Sequence, residues 1–229
     1  MHVPDGFLDA QTSVATAVVA AGGVALALRG ARRELDDRTA PMAGLVATFV
    51  FAGQMMNFPV AGGTSGHLLG GALAAVLAGP WTAVLCLSVV LLVQGLLMSD
   101  GGITALGTNV VLMGLVGVGV GWLGFRLARA VLPRRLGSVA PAAAFGAFLS
   151  VPVAALAFTA LFAVGGTAPV PVGTVAAAMV GWHLLIGIGE ALITGLVVGS
   201  VVAVRPDLVY GARDVLASSD LEIRPGVAA

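Results

Sequence analysis

Apolar positions in this chain neither alternate nor fall into narrow stripes. They run together in seven stretches, at about 11–28, 41–57, 67–79, 81–98, 104–131, 140–164 and 173–203, parted by short polar or glycine-rich breaks. Runs near the length of a bilayer crossing predict transmembrane helices, because in lipid the backbone must satisfy its own hydrogen bonds. The expected fold is all-α: a polytopic bundle of seven transmembrane helices forming one domain over residues 1–204, then a short polar tail over 205–229. The third run is short, reaching about 20 Å as a helix against a hydrocarbon core of about 30 Å. Residues 67–98 could instead form one long helix kinked at Gly79-Pro80.

The arginines choose between these. Arg29, Arg32, Arg33 and Arg38 follow the first run; Arg126, Arg129, Arg134 and Arg135 follow the fifth; Arg205, Arg213 and Arg224 lie in the tail. Seven crossings place all eleven on one side, expected to be the cytoplasm, whereas six would flip the middle cluster outward. Gly79-Pro80-Trp81 therefore reads as a tight cytoplasmic turn, with the N-terminus outside and the C-terminus inside. The outer side then holds residues 1–9, the stretch 57–67, the loop at 99–102 and the stretch 165–173, with Asp5, Asp9 and Asp100 and no arginine. A cation approaching from that side meets attraction.

Composition narrows the function. The chain of 229 residues is 59% hydrophobic and 10% charged, far below the roughly 25% charge of soluble domains. Its 33 glycines suit close helix approach in a compact membrane bundle. The single Cys86 rules out a disulfide framework, and zero net charge argues against nucleic acid. All basic residues are arginine, which excludes both a P-loop and a Schiff-base lysine. The chain is expected not to be an enzyme, and any ATP that drives it must be hydrolysed by another subunit.

The opening MHVPDGF carries the first candidate chemistry. Bulky His2 should leave Met1 in place. The Met1 amine and the His2 backbone nitrogen can close a five-membered chelate ring, and the same backbone nitrogen with His2 Nδ1 a six-membered one. Three nitrogens in a plane suit Ni²⁺, Cu²⁺ or Co²⁺ rather than Mg²⁺ or Ca²⁺. Asp5-Gly6 reads as a turn that folds the segment back. The plainer alternative is a frayed terminus with an incidental histidine. In AGGTSGHLLGG, at 61–71, glycines deliver His67 to the outer end of the third helix, where it can be the fourth donor. Asp5, Gln54, Asn57, Ser65 and Asn109 are the candidates to support these ligands, and Gln94 and Thr108 lie near the same face. Ordinary interhelical hydrogen bonds would account for the amides equally well.

His183 and Glu190, seven residues apart in the last run, share a helix face. Ionisable groups at membrane depth read either as packed and hydrogen-bonded or as a proton or ion relay. Small-residue pairs Ala17/Ala21, Gly66/Gly70 and Gly195/Gly199 mark close helix contacts or a face for a partner's helices. Gly63-Thr64-Ser65-Gly66 with His183 as base admits an intramembrane serine protease, although that leaves MHVPDGF and His67 unexplained. A stand-alone metal permease is a further alternative.

Together MHVPDGFL, QMMNFPVAGGTSGHLLGG, LAGPW, DGGITALGTN and GEALITG resemble the cobalt/nickel substrate-capture (S) component of energy-coupling factor transporters, over roughly residues 1–210. The resemblance implies an S-component bundle with its N-terminus tucked into the outer face. It implies a near-square-planar ion site made by the Met1 amine, the His2 backbone and imidazole nitrogens and the His67 imidazole. The cargo would be Co²⁺ by preference or Ni²⁺, carried as substrate, with no organic cofactor. The implied partners are a transmembrane coupling (T) subunit, two cytoplasmic ATPase subunits and a small accessory membrane subunit. One position departs: a second asparagine often stands three residues after Asn109, and here Leu112 stands there.

Overall fold

The computed structural model describes residues 1–36, 39–56, 58–60 and 64–217. Arg38, Asn57 and Arg224, and the glycines at 62 and 63, lie outside the described residues. Helix α1 (Ala10–Ala31) starts where Asp9 caps it, its Oδ1 accepting the Thr12 amide at 2.7 Å. Helix α2 (Ala40–Gln54) and helix α4 (Pro80–Leu97) both open with a proline in the first turn, where its missing N–H does no harm. Between them stand a small antiparallel hairpin, β1 (Phe58–Val60) with β2 (Thr64–Gly66), and a short helix, α3 (Gly71–Ala78). The rod Leu106–Val131 comprises α5 (Leu106–Asn109), a π-helical stretch (Val110–Gly117) and α6 (Val118–Val131). Long α7 (Val139–Gly165) and α8 (Val172–Val204) follow, and a short α9 (Arg213–Ala217) closes the described chain.

The apolar runs therefore became helices close to their expected bounds, with two corrections. The fold is all-helical as expected, apart from the small hairpin of three-residue strands β1 and β2. The third helix does not begin at His67. It starts at Gly71, after Gly70 adopts a left-handed φ of +76° that ends the extended segment. Gly66 and Gly70 consequently share no helix face. Finally, residues 205–217 are not a free tail, since Val209 and Ala212 are fully buried in the bundle's core.

Residues 67–98 form two helices rather than one kinked rod. Gly79 takes φ +102°, and α3 and α4 pack against each other. Among the described residues, five helices, α1, α4, the rod Leu106–Val131, the segment Leu136–Gly165 that contains α7, and α8, are long and apolar enough to cross a membrane; α2 is a shorter apolar helix. The eight residues of α3 are all buried. The exterior is lined by residues such as Val18, Leu45, Leu185 and Leu196, while Gln54, His67, Gln94, His183 and Glu190 are inside. Apolar outside and polar inside is the arrangement lipid selects.

Small residues set the helix spacing. A Cβ on Gly146 of α7 would run into the Gly121 carbonyl of the rod, and Gly195 and Gly199 of α8 face Ala144 and Ala140 of α7. Pro152 inside α7 cannot donate to the Phe148 carbonyl, and Gly187 of α8 lies against that oxygen. The interior divides into two apolar clusters. One, with Val76, Leu77, Phe125 and Val209, fills the end where the arginines gather. The other, with Met1, Val3, Leu69, Leu112 and Phe158, fills the end where the chain begins.

Candidate metal centre

The first nine residues are built into the second cluster. Met1, Val3 and Leu8 are buried, and Phe7 stacks on Phe158. The backbone is tied at successive points. Asn109 Oδ1 accepts the Val3 amide at 2.8 Å, and Asn109 Nδ2 donates to the Val3 carbonyl at 3.2 Å. The Gly102 amide donates to the Val3 carbonyl at 2.9 Å, Thr167 binds the carbonyls of Gly6 and Phe7, and the Asp9 amide donates to Gly165 at 2.7 Å. Asp5 Oδ1 accepts both the Thr104 amide and its hydroxyl, which holds the exposed carboxyl below the usual carboxylate range. Gly6, at φ +72°, makes the predicted turn. A frayed terminus is excluded by these contacts. They also explain the glycines at 101 and 102: a Cβ at either would press on His2 and Asn109 or on Asp5.

This anchoring aims the terminus inward. The Met1 amine meets His67 Nε2, both groups buried. The His2 ring stacks on the His67 ring with centroids 4.4 Å apart. His67 Nδ1 lies 2.7 Å from the Leu68 carbonyl; donating its proton there leaves Nε2 with its lone pair toward the amine. Burial pushes the amine from its ordinary 8.0 down to about 4, against opposing pulls from Asp100 and Glu190. At neutral pH the amine is thus an uncharged base, the form that can donate to a metal.

His2 is held by two residues outside the set predicted to support the ligands. Its Nε2 is 3.1 Å from Gln94 Oε1, and its Nδ1 is 3.1 Å from Asp100 Oδ1. The clue to Gln94 was a lone amide in the apolar run of α4; the clue to Asp100 was its place in a short loop beside the terminus. The nitrogen that the six-membered chelate requires therefore faces a carboxylate in this structure.

Among the supporting candidates, Asn109 and Asp5 anchor the terminus as described. Gln54 acts one step further away, its Nε2 donating to the Leu69 carbonyl at 2.8 Å. Ser65 sits in β2, paired with Pro59, and its side chain is outside the described residues. Leu112 is fully buried in the same cluster as Met1 and Val3, so apolar packing occupies the place where the resemblance expects an amide. His183 does not join the ligands: its Nδ1 lies 2.7 Å from the Met179 carbonyl, and its Nε2 is buried with no hydrogen-bond partner among the described residues. Glu190 turned out to be bonded to backbone, accepting the Leu69 amide at 2.6 Å and the Gly70 amide at 2.7 Å.

A protein-family model described as cobalt uptake substrate-specific transmembrane region matches residues 2–208. The chain is 38% identical over 216 residues to a cobalt transport protein CbiM of Sorangium cellulosum, covering 91% of this chain and 94% of that one. It is 37% identical over 225 residues to a fused nickel transport protein NikMN of Rhodobacter capsulatus, covering 93% of this chain and 65% of that longer one. A crystal structure of a truncated transition metal transporter superposes with a TM-score of 0.82 at 31% identity, over 89% of this chain and 99% of that one.

Proposed function

This chain belongs to the CbiM family of cobalt uptake substrate-specific transmembrane regions, and on that premise we propose that it captures a divalent transition-metal ion, Co²⁺ by preference, as the substrate-specific subunit of an ATP-driven energy-coupling factor importer. The ion enters at the outer face, where Met1, His2 and His67 supply four nitrogens. The observation that carries this reading is the buried contact of the Met1 amine with His67 Nε2, with the His2 ring stacked alongside. A free amine inside a lipid-facing bundle is costly. It makes sense where its lone pair has a use.

Capture proceeds by exchange. The ion takes the place of Asp100 at His2 Nδ1, while Gln94 stays on Nε2 and orients the ring. The His2 amide completes the plane, its proton released to water on the outer side. A nitrogen cage rejects Mg²⁺ and Ca²⁺, which require oxygen, and a rigid plane disfavours tetrahedral Zn²⁺. In this reading the chain makes seven crossings, with α3 and the extended residues before it as the short third, the N-terminus outside and the arginines inside. The chain itself carries no ATP-hydrolysing site in this reading. A T subunit, two ATPase subunits and a small accessory membrane subunit complete the transporter. That a longer relative is named as a fusion supports an accessory piece working beside this one.

The same nitrogens fit Ni²⁺, and the relatives carry both cobalt and nickel names at nearly equal identity. Competitive titration of Co²⁺ against Ni²⁺ on untagged protein decides between them. The test of the site is one residue added ahead of Met1. Tight binding should vanish, because the amine is consumed in a peptide bond. Affinity equal to that of the native terminus would refute the site.

A further inference from the structure

His67 is the only proposed ligand not carried by the terminus, and something must hold it in place. It stands on an extended segment between β2 and α3, without a helix of its own. Beyond Leu68, the next two residues, Leu69 and Gly70, lend their amides to one carboxylate. Glu190, in the middle of α8 and 1% exposed, accepts Leu69 N–H on one oxygen and Gly70 N–H on the other. Gln54, at the end of α2, grips the same segment from its opposite polarity by donating to the Leu69 carbonyl.

We propose that Glu190 is a positioning residue for metal capture: its carboxylate, bridging the Leu69 and Gly70 amides, locks the His67 imidazole onto the Met1 amine and ties the site to α8. The inference rests on the capture reading above. A carboxylate suits the task because it offers acceptors at both oxygens to two amides pointing the same way. A neutral glutamine offers one. The site is thereby linked to the middle of α8. Glu190 also lines an apolar cleft of about 660 Å³ between α2 and α8, with Ile193 beside it and Phe49, Gly53 and Leu68 on the other walls. A shift of α8 against α2 therefore moves the amides next to His67 directly.

Glu190→Gln is the first variant, made in the full chain with its native Met1 and titrated with Co²⁺ and Ni²⁺ in detergent. Its amide can accept one of the two N–H groups and sets a donor against the other. We expect affinity to fall by about 10–100-fold, as for residues that orient metal ligands. The visible absorption of the bound ion should stay unchanged, because the donor atoms are the same. A second variant keeps every side chain: an amide-to-ester replacement at Leu69 deletes one N–H to Glu190. It should weaken binding in the same direction, and the two changes together should cost less than their sum.

Unchanged affinity in both variants would overturn the role. So would an altered spectrum in Glu190→Gln, which would make the carboxylate a ligand. A drop in thermal stability with full affinity in the folded fraction would also overturn it, leaving only a fold contact. If extension of Met1 has no effect, the capture reading itself fails. If extension abolishes binding while both variants bind like the wild type, only the positioning role falls.

Discussion

Two buried carboxylates do the same geometric thing at the two ends of the short helix α3. Glu34 accepts the Trp81 amide at 3.1 Å, the Thr82 amide at 2.7 Å and the Thr82 hydroxyl at 2.9 Å, where α4 begins. Glu190 accepts the Leu69 and Gly70 amides just ahead of α3. Their surroundings differ. Glu34 lies at the arginine end, follows α1, and has its own carbonyl bonded by Arg213 at 3.2 Å. It fastens one helix start to the end of another, and Gly79 is glycine partly because a Cβ there would press into that carboxylate. Glu190 lies mid-helix and holds the backbone at Leu69, two residues after His67. One carboxylate serves the fold alone; the other serves the fold beside a set of nitrogen donors. Contact geometry does not separate a structural staple from a functional one; what lies on the far side of the bonded amides does.

The largest effect that separates them is on stability. Glu34→Ala leaves two amides and a hydroxyl without their acceptor at a largely buried helix start. The expected loss is about 3 kcal/mol of unfolding free energy. Metal affinity of the folded protein should not change. Unfolding of purified protein followed by circular dichroism, beside a metal titration, measures both. A large affinity loss without destabilisation would erase the distinction between the two ends.

Acid gives the second test, and the nitrogen end should respond more. In the docked terminus the amine is held near 4; when the segment is released it returns toward 8.0. Between those values the released state binds a proton that the docked state does not. Docking is therefore favoured at high pH and weakens as pH falls, by up to about tenfold per pH unit in this window. Hydrogen exchange over residues 2–9, corrected for intrinsic rates, should accelerate from pH 7 to pH 5. Exchange around Thr82 should respond less, because the terminal amine is not among its contacts. Equal protection of residues 2–9 at both pH values would contradict the buried amine.

The legibility of the sequence follows the same division. Apolar runs located the helices because lipid makes hydrophobicity a near-complete code for crossing segments. MHVPDGF and His67 stood out because a histidine at residue 2 and another in a glycine-rich loop have few other uses in such a chain. The holding residues were harder to read. Asp100 and Gln94 are separated from His2 by more than ninety positions, and no spacing rule links them. Glu190 was visible as an anomaly at membrane depth, but its partners are backbone amides, which carry no signature in the side-chain alphabet. The unwound start of α3 was missed because His67 and its neighbours continue an apolar run, whereas Gly70 at φ +76° and the carboxylate across from it end the helix early.

A smaller effect probes how the terminus is held. Asn109→Ala removes both bonds to Val3, whose amide and carbonyl are buried, though Gly102 continues to serve the carbonyl. The expected result is about tenfold weaker Co²⁺ binding, equivalent to one orphaned buried group. Overall stability should change little, because Asn109 does not cap a helix among its described contacts. Restoring the amide one turn later, by Leu112→Asn in the Asn109→Ala background, should not rescue binding. Leu112 packs in the apolar cluster around Met1, and a polar group there has no described partner within that cluster.

The smallest effect is expected at Asp5, and it tests whether charge or shape governs the outer rim. Asp5 Oδ1 accepts the amide and hydroxyl of Thr104, and asparagine retains that oxygen. Asp5→Asn should therefore leave equilibrium affinity within about twofold while removing one negative charge from the approach. Any change belongs in the association rate at low ionic strength, where a single exposed charge steers a divalent cation weakly and salt screens it. Stopped-flow Co²⁺ binding at two salt concentrations resolves this. A tenfold affinity loss would mean that the carboxylate's charge reaches the nitrogens, and that the rim belongs to the site rather than to the scaffold holding it.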